Sequence, residues 1–100
     1  MIVFHHPGCA EYSVTGHPER RERVVRSASY LRAAHAGWEW REPREATNEV
    51  LLRAHSEAHV ARVRDATHDF DADTPAYENI FAHATRASGA ACAVAQAALG

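Results

Sequence analysis

Histidine is the residue type in this chain whose number and spacing could do chemistry, because eight histidines occur in 100 residues. His55 and His59 are four residues apart, so on a helix both imidazoles could bind one metal ion. The metalloprotease motif HExxH is not formed, because the segment reads His-Ser-Glu-Ala-His. A pair at this spacing also arises by chance in a histidine-rich chain, and this interpretation competes with the metal site.

A second group of soft metal ligands surrounds one N-terminal loop: His5, His6, Cys9 and His17. No second cluster with zinc-ribbon spacing accompanies it. Histidines that end a buried strand are also common as hydrogen-bonded structural residues, and this interpretation stays open beside the zinc site. Because Cys9 and Cys92 are far apart in ordinary sequence, we expect free thiols rather than a disulfide.

Three aspartates alternate near the middle of the second half of the chain. Asp69, Asp71 and Asp73 resemble the opening of an EF-hand, but Thr74 and Ile80 stand where glycine and glutamate are required. Calcium binding of this kind is therefore excluded. Asp73 has two interpretations: a carboxylate stabilised by a helix dipole, or an exposed acceptor for the N–H groups of a ligand.

The composition excludes several classes of function. With 46% hydrophobic and 24% charged residues and a net charge of −2, the chain has no basic excess that would attract nucleic acid. No apolar run of about 18 residues could span a membrane, and the N-terminus lacks the regions of a signal peptide. No GxSxG, phosphate loop or GxGxxG motif is present. We expect a cytoplasmic globular protein with neither nucleic acid nor membrane as a partner.

The first half of the chain predicts a strand, a helix and a second strand. Residues 1–4 are all apolar, which indicates a strand buried on both faces. Pro18 and Glu19 are typical of a first helical turn and predict a helix over residues 18–35. Residues 38–42 alternate apolar and polar, which predicts a half-exposed strand. Such a βαβ unit has parallel strands and a right-handed crossover.

The second half predicts helices. Thr47 and Ser56 can each cap a short helix, and residues 67–76 are polar enough to form an exposed loop. A final helix is predicted to begin near Pro75, with Thr74 as its cap, and to end at Leu99. Gly89 lowers the stability of this helix relative to alanine. A stripe of small residues along it would permit close backbone packing: Ala84, Ala87, Ala91, Ala95 and Ala98.

Four segments in this order resemble the N-terminal part of the histone deacetylase family, in the bacterial branch of acetoin-utilisation proteins and acetylpolyamine amidohydrolases. They are His5-His6-Pro7, Gly16-His17-Pro18-Glu19-Arg20, the run from Ala46 to Ser56, and Asp71-x-Asp73-Thr74-Pro75. The departures include Arg21 in place of a second proline, Tyr12 in place of a loop histidine, and His59 in place of a tyrosine.

The resemblance implies an α/β chain that is the N-terminal part of an arginase/deacetylase-like three-layer fold. Residues 1–100 would be an incomplete domain, a βαβ unit followed by helices, with most of the parallel sheet missing. The family's catalytic Gly-His-His pair, its zinc ligands and its carbonyl-polarising tyrosine match no residue here. Zinc would serve the full-length enzyme, and we expect this chain alone to bind no metal. Asp73 matches the family's rim aspartate, which holds N–H groups of an acyl-lysine substrate.

Three hypotheses of function follow, the third being a small histidine-rich metal-binding module, which zinc would stabilise. The first is a segment of a zinc-dependent amidohydrolase acting on N-acetyl-lysine or acetylpolyamine-type amides, with Asp73 as a substrate-binding residue and no catalytic or metal-binding residue of its own. The second is a non-catalytic small protein derived from that fold and stabilised by homo-oligomerisation, since an unpaired apolar strand edge needs a cover. The resemblance leaves open whether such a chain acts as an enzyme by itself.

Overall fold

The chain divides into two compact units, Met1–Pro43 and Arg44–Gly100, and each is described by itself. The computed structural model describes residues 1–11, 21–66, 68–71, 76 and 79–100. Every structural statement below concerns these residues. The architecture is small α/β, with one two-stranded parallel sheet and helices.

The first unit is built on a parallel pair of strands. Strand β1, Ile2–Phe4, pairs with β2, Glu39–Arg41, in the register that places Val3 opposite Trp40. Two further backbone hydrogen bonds extend this ladder. The Glu39 amide donates to the Met1 carbonyl, and the His5 amide donates to the Arg41 carbonyl. A short 3₁₀ helix, Pro7–Glu11, follows β1. The predicted parallel pairing is confirmed, whereas the hand of the crossover stays a prediction.

Strand β1 is less buried than its apolar sequence predicts. Ile2 keeps 39% of its surface exposed, and Val3 and Phe4 are only half-buried. The expectation of burial on both faces is therefore wrong for this structure. The physical reason is that β1 pairs with β2 alone among the described residues, whereas a parallel strand gains full burial from neighbours on both edges and layers on both faces.

Helix α1, Arg21–Ala34, connects the two strands. Its predicted start at Pro18 lies outside the described residues, and its predicted end at residue 35 is correct to within one residue. Val24, Ala28 and Leu31 are half-buried and, together with side chains of both strands, line one cavity. This spacing of four and three residues is that of one helix face, as the sequence predicts.

The second unit contains helices α2, Asn48–Leu51, and α3, Glu57–Asp65. Both predicted caps are confirmed. The Thr47 hydroxyl accepts a hydrogen bond from the Val50 amide at 3.3 Å, and the Ser56 hydroxyl accepts one from the His59 amide at 3.1 Å. Each cap satisfies an amide that has no partner within its helix.

Helix α4, Ile80–Leu99, begins later than the sequence predicts. The predicted start near Pro75 is wrong, because Ala76 is not helical and Asn79 has left-handed backbone angles, φ 62° and ψ 23°. A left-handed residue cannot continue a right-handed helix, and asparagine tolerates this conformation better than most residues. The predicted cap Thr74 lies outside the described residues.

The core of the second unit forms where the faces of its helices meet. Leu51 and Val60 are buried there, and Thr85 of α4 is buried as well. All five alanines of the predicted small-residue stripe are exposed, so close packing does not occur on that face of α4 in the described part of the chain. It occurs instead at Gly89, which is buried against the backbone of residues 44–46.

None of the helices in the described part of the chain is long and apolar enough to cross a membrane.

Candidate functional site

Asp73, the predicted substrate-binding residue, lies outside the described residues, but the residues flanking it are placed. The carboxylate of Asp69 accepts a hydrogen bond from the amide of Ala76 at 2.8 Å. This hydrogen bond therefore joins one residue before Asp73 in the sequence to one residue after it. From the sequence, Asp69 is interpreted only as a possible calcium ligand. Its hydrogen bond to a backbone amide is not predicted, although short polar side chains often accept such bonds from nearby backbone groups.

Phe70, which follows Asp69, contacts helix α3. The guanidinium of Arg62 lies 4.9 Å from the ring centroid of Phe70, and Phe70 is half-buried. A cation over an aromatic face is attracted by the ring quadrupole. Phe70 is thus held against helix α3 of the second unit.

His6 belongs to a hydrogen-bonded turn. Its Nδ1 accepts a hydrogen bond from the Gly8 amide at 2.8 Å, and its Nε2 lies 3.2 Å from a carboxylate oxygen of Glu42. Since Nδ1 accepts, the proton of the neutral ring resides on Nε2 and is donated to Glu42. The geometry therefore supports His6 as a hydrogen-bonded structural residue rather than a metal ligand.

His5 packs against β2. Its ring meets that of Trp40 edge to face, with centroids 5.7 Å apart, and the Arg32 guanidinium lies 4.1 Å from the Trp40 centroid. Burial lowers the pKa of His5 below its usual value, and electrostatic interaction with Arg32 and His6 lowers it further. Of the predicted loop cluster, the side chains of His5 and His6 have these structural contacts, whereas the Cys9 side chain and His17 are not described.

The rings of His55 and His59 come together, but not on one helix as the sequence predicts, because His55 precedes Ser56, the N-cap of α3. Their ring centroids are 5.2 Å apart, and both residues are exposed. They border a groove of about 80 Å³ whose opposite wall includes Phe81, Thr85 and Ser88 of α4. The sequence identified the pair, but only the structure shows that it borders this groove.

The described residues do not fit a catalytic zinc ion. No group of three or more histidine, cysteine, aspartate or glutamate side chains in the described ranges could hold a metal. A catalytic zinc takes three protein ligands and keeps one open position. We therefore derive no step through zinc from this part of the chain.

Comparison with known proteins identifies a family for this chain. The model of the histone deacetylase domain matches residues 17–100, which is most of the chain. No curated protein and no solved structure matches the chain significantly.

Proposed function

The chain belongs to the histone deacetylase family, and we propose that it is the N-terminal segment of a zinc-dependent deacetylase-like amidohydrolase of the bacterial branch. The substrates would be N-acetyl-lysine or acetylpolyamine-type amides. This segment contributes scaffold and substrate rim, and the catalytic centre comes from other parts of the enzyme. The observation that carries the proposal is the family match over residues 17–100. A cytoplasmic location stays a prediction.

The scaffold role is supported by the parallel pair β1–β2. Each strand has three residues, and the apolar residues of β1 stay partly exposed. A parallel sheet is normally larger and covered on both faces. The partial burial of Ile2, Val3 and Phe4 is expected if other parts of the enzyme supply further strands and helices that pack against this sheet.

The rim role rests on Asp73 and on the described residues around it. The Asp69–Ala76 hydrogen bond and the contact of Phe70 with Arg62 order the described residues on either side of Asp73 in the sequence. A carboxylate accepts charge-assisted hydrogen bonds from N–H groups such as those of an acyl-lysine. Asp73 would thus bind and orient the substrate without taking part in bond breaking.

The experiment uses the protein encoded by the whole reading frame that contains this segment. We expect it to contain a Gly-His-His sequence and to release acetate from an acetyl-lysine peptide or an acetylpolyamine. D73N should lower kcat/KM by about tenfold or more, mainly through KM, because it weakens binding in the ground and transition states alike. D65N is the matched control, with the same charge change at the exposed end of α3, and should stay close to wild type.

The outcomes separate the two parts of the proposal. If acetate is released and D73N behaves like D65N, the rim role of Asp73 is wrong and the deacetylase assignment stands. If the reading frame has no Gly-His-His sequence and the protein releases no acetate, the amidohydrolase proposal is wrong.

The second candidate is a non-catalytic protein stabilised by homo-oligomerisation. The observation that favours it is apolar exposure on α4, where Val94 is 52% and Leu99 is 90% exposed. A second copy of the chain could cover these side chains. An intact mass of 11.0 kDa from the native source, with an elution volume that depends on concentration, would support this candidate. A much larger mass would contradict it.

A further inference from the structure

We propose that His55 and His59 form a two-imidazole binding site for one divalent transition-metal ion at the N-terminal end of α3. The proposal does not depend on the deacetylase assignment. It also departs from the sequence-based expectation that this chain alone binds no metal.

The distance between the two rings suits one shared ion. A histidine nitrogen binds zinc at 2.0–2.1 Å, which places the ring centroid about 3.2 Å from the metal. Two centroids at that distance and 5.2 Å apart subtend an angle of about 110° at the ion, close to the tetrahedral angle that zinc prefers. The ring planes are tilted by 34°. The two imidazoles are therefore not stacked face to face, and one ion can contact both.

The backbone holds the pair before any metal binds. The His55 amide donates to the Leu51 carbonyl at 3.0 Å, and the His59 amide donates to the Ser56 hydroxyl at 3.1 Å. The first bond ties His55 to the end of α2, and the second is the N-cap of α3. Since these bonds order both backbone positions, ion binding has to order little more than the side-chain torsions.

The ring nitrogens are available to an ion. Both residues are exposed, and neither imidazole has a hydrogen-bond partner among the described residues. An ion can therefore reach the pair without breaking a hydrogen bond within that part of the chain. The same lack of a second hydrogen-bonded shell predicts weaker binding than in sites where each histidine is oriented by a carboxylate or carbonyl.

The donor set selects the class of metal. Imidazole nitrogens suit zinc, copper and nickel rather than calcium or magnesium, and copper(II) should bind most tightly among the divalent ions. Two protein ligands leave the remaining positions to water. The site lies on the border of the groove that also contains Thr85 and Ser88, so exchangeable positions on the ion would be open to small ligands.

The test is a titration of the chain with Zn²⁺ under reducing conditions, followed by calorimetry and by long-range ¹H–¹⁵N spectra of the histidine rings. We expect one ion per chain and simultaneous shifts of ring nitrogens of His55 and His59. H55N and H59N should each weaken zinc binding by about tenfold or more. H35N removes an exposed histidine elsewhere and is the matched control that should bind like wild type.

Two results would overturn the proposal. One is wild-type zinc affinity in H59N, and the other is a zinc titration that leaves the His55 and His59 resonances of the wild-type chain unchanged. A loss of binding in H17N together with full binding in H59N would assign the zinc to the N-terminal loop instead. The spectra of the wild-type chain decide the question even if a variant folds poorly, and far-UV circular dichroism reports on the folding of each variant.

Discussion

Gly89 lies directly against the backbone of Arg44. A β-carbon built on Gly89 would overlap the Arg44 carbonyl oxygen and lie 3.0 Å from the Ala46 nitrogen. The Ala46 amide in turn donates to the Thr85 carbonyl at 2.9 Å, one helical turn before Gly89. The segment that precedes α2 therefore packs against α4 at a position where a side chain would collide with its backbone.

We predict that G89A destabilises the chain by about 1–3 kcal/mol, the usual cost of overpacking. Alanine is favoured over glycine in a helix by about 1 kcal/mol, but the overlap involves backbone atoms that cannot turn away, so the steric cost should win. Urea denaturation measures the difference. G37A is the control, because a β-carbon there meets nothing within 4 Å, and a stability of G89A equal to that of G37A would contradict this packing.

We predict that T47A and S56A each lower the free energy of unfolding by about 1 kcal/mol, within a range of roughly 0.5–2 kcal/mol. Each removes the hydroxyl that accepts an amide hydrogen bond at the start of a helix. S27A is the control, because Ser27 is exposed and its hydroxyl donates to the Arg23 carbonyl within α1, so it caps no helix. Equal stabilities of all three variants and wild type would show that the caps do not contribute.

We predict that stability falls as the pH drops below about 6.5, the usual pKa of histidine, in part through His5. The pKa of His5 is lowered in the folded chain by burial, Arg32 and His6, so between the two pKa values the unfolded chain binds more protons. Stability then rises with pH through this window and is lost as the pH falls. Thermal unfolding between pH 5.5 and 8 measures the slope.

In H5N this part of the slope should disappear. In H35N, which changes an exposed ring, it should remain. A slope that is identical in H5N and wild type would contradict the lowered pKa of His5.

We predict that the neutral ring of His6 carries its proton on Nε2. The Gly8 amide donates to Nδ1, and the Nε2 proton is directed to Glu42. Long-range ¹H–¹⁵N spectra at pH 8 distinguish the two tautomers, with an exposed histidine such as His35 as the internal reference. E42A should leave the tautomer unchanged, because the Gly8 bond alone selects it. A proton on Nδ1 would show that the turn after β1 is built differently.

Local signals were sufficient for several features of this chain. Thr47 and Ser56 act on amides three residues away, so their types and positions predict the caps without knowledge of the fold. The β1–α1–β2 unit was likewise predictable from an apolar run, a helix period and an alternating segment. The family resemblance was also evident in short motifs, and the match over residues 17–100 bears it out.

Features that depend on distant residues were decided by tertiary structure alone. The alanine stripe and the face that contains Gly89 are both made of small residues, and the choice between them was made by the segment at Arg44, about 45 positions earlier in the chain. The roles of His5 and His6 likewise follow from distant residues, Trp40 and Glu42. Sequence patterns determine which residues can be buried or paired, and packing determines which of them are, because burial is a property of contacts between segments.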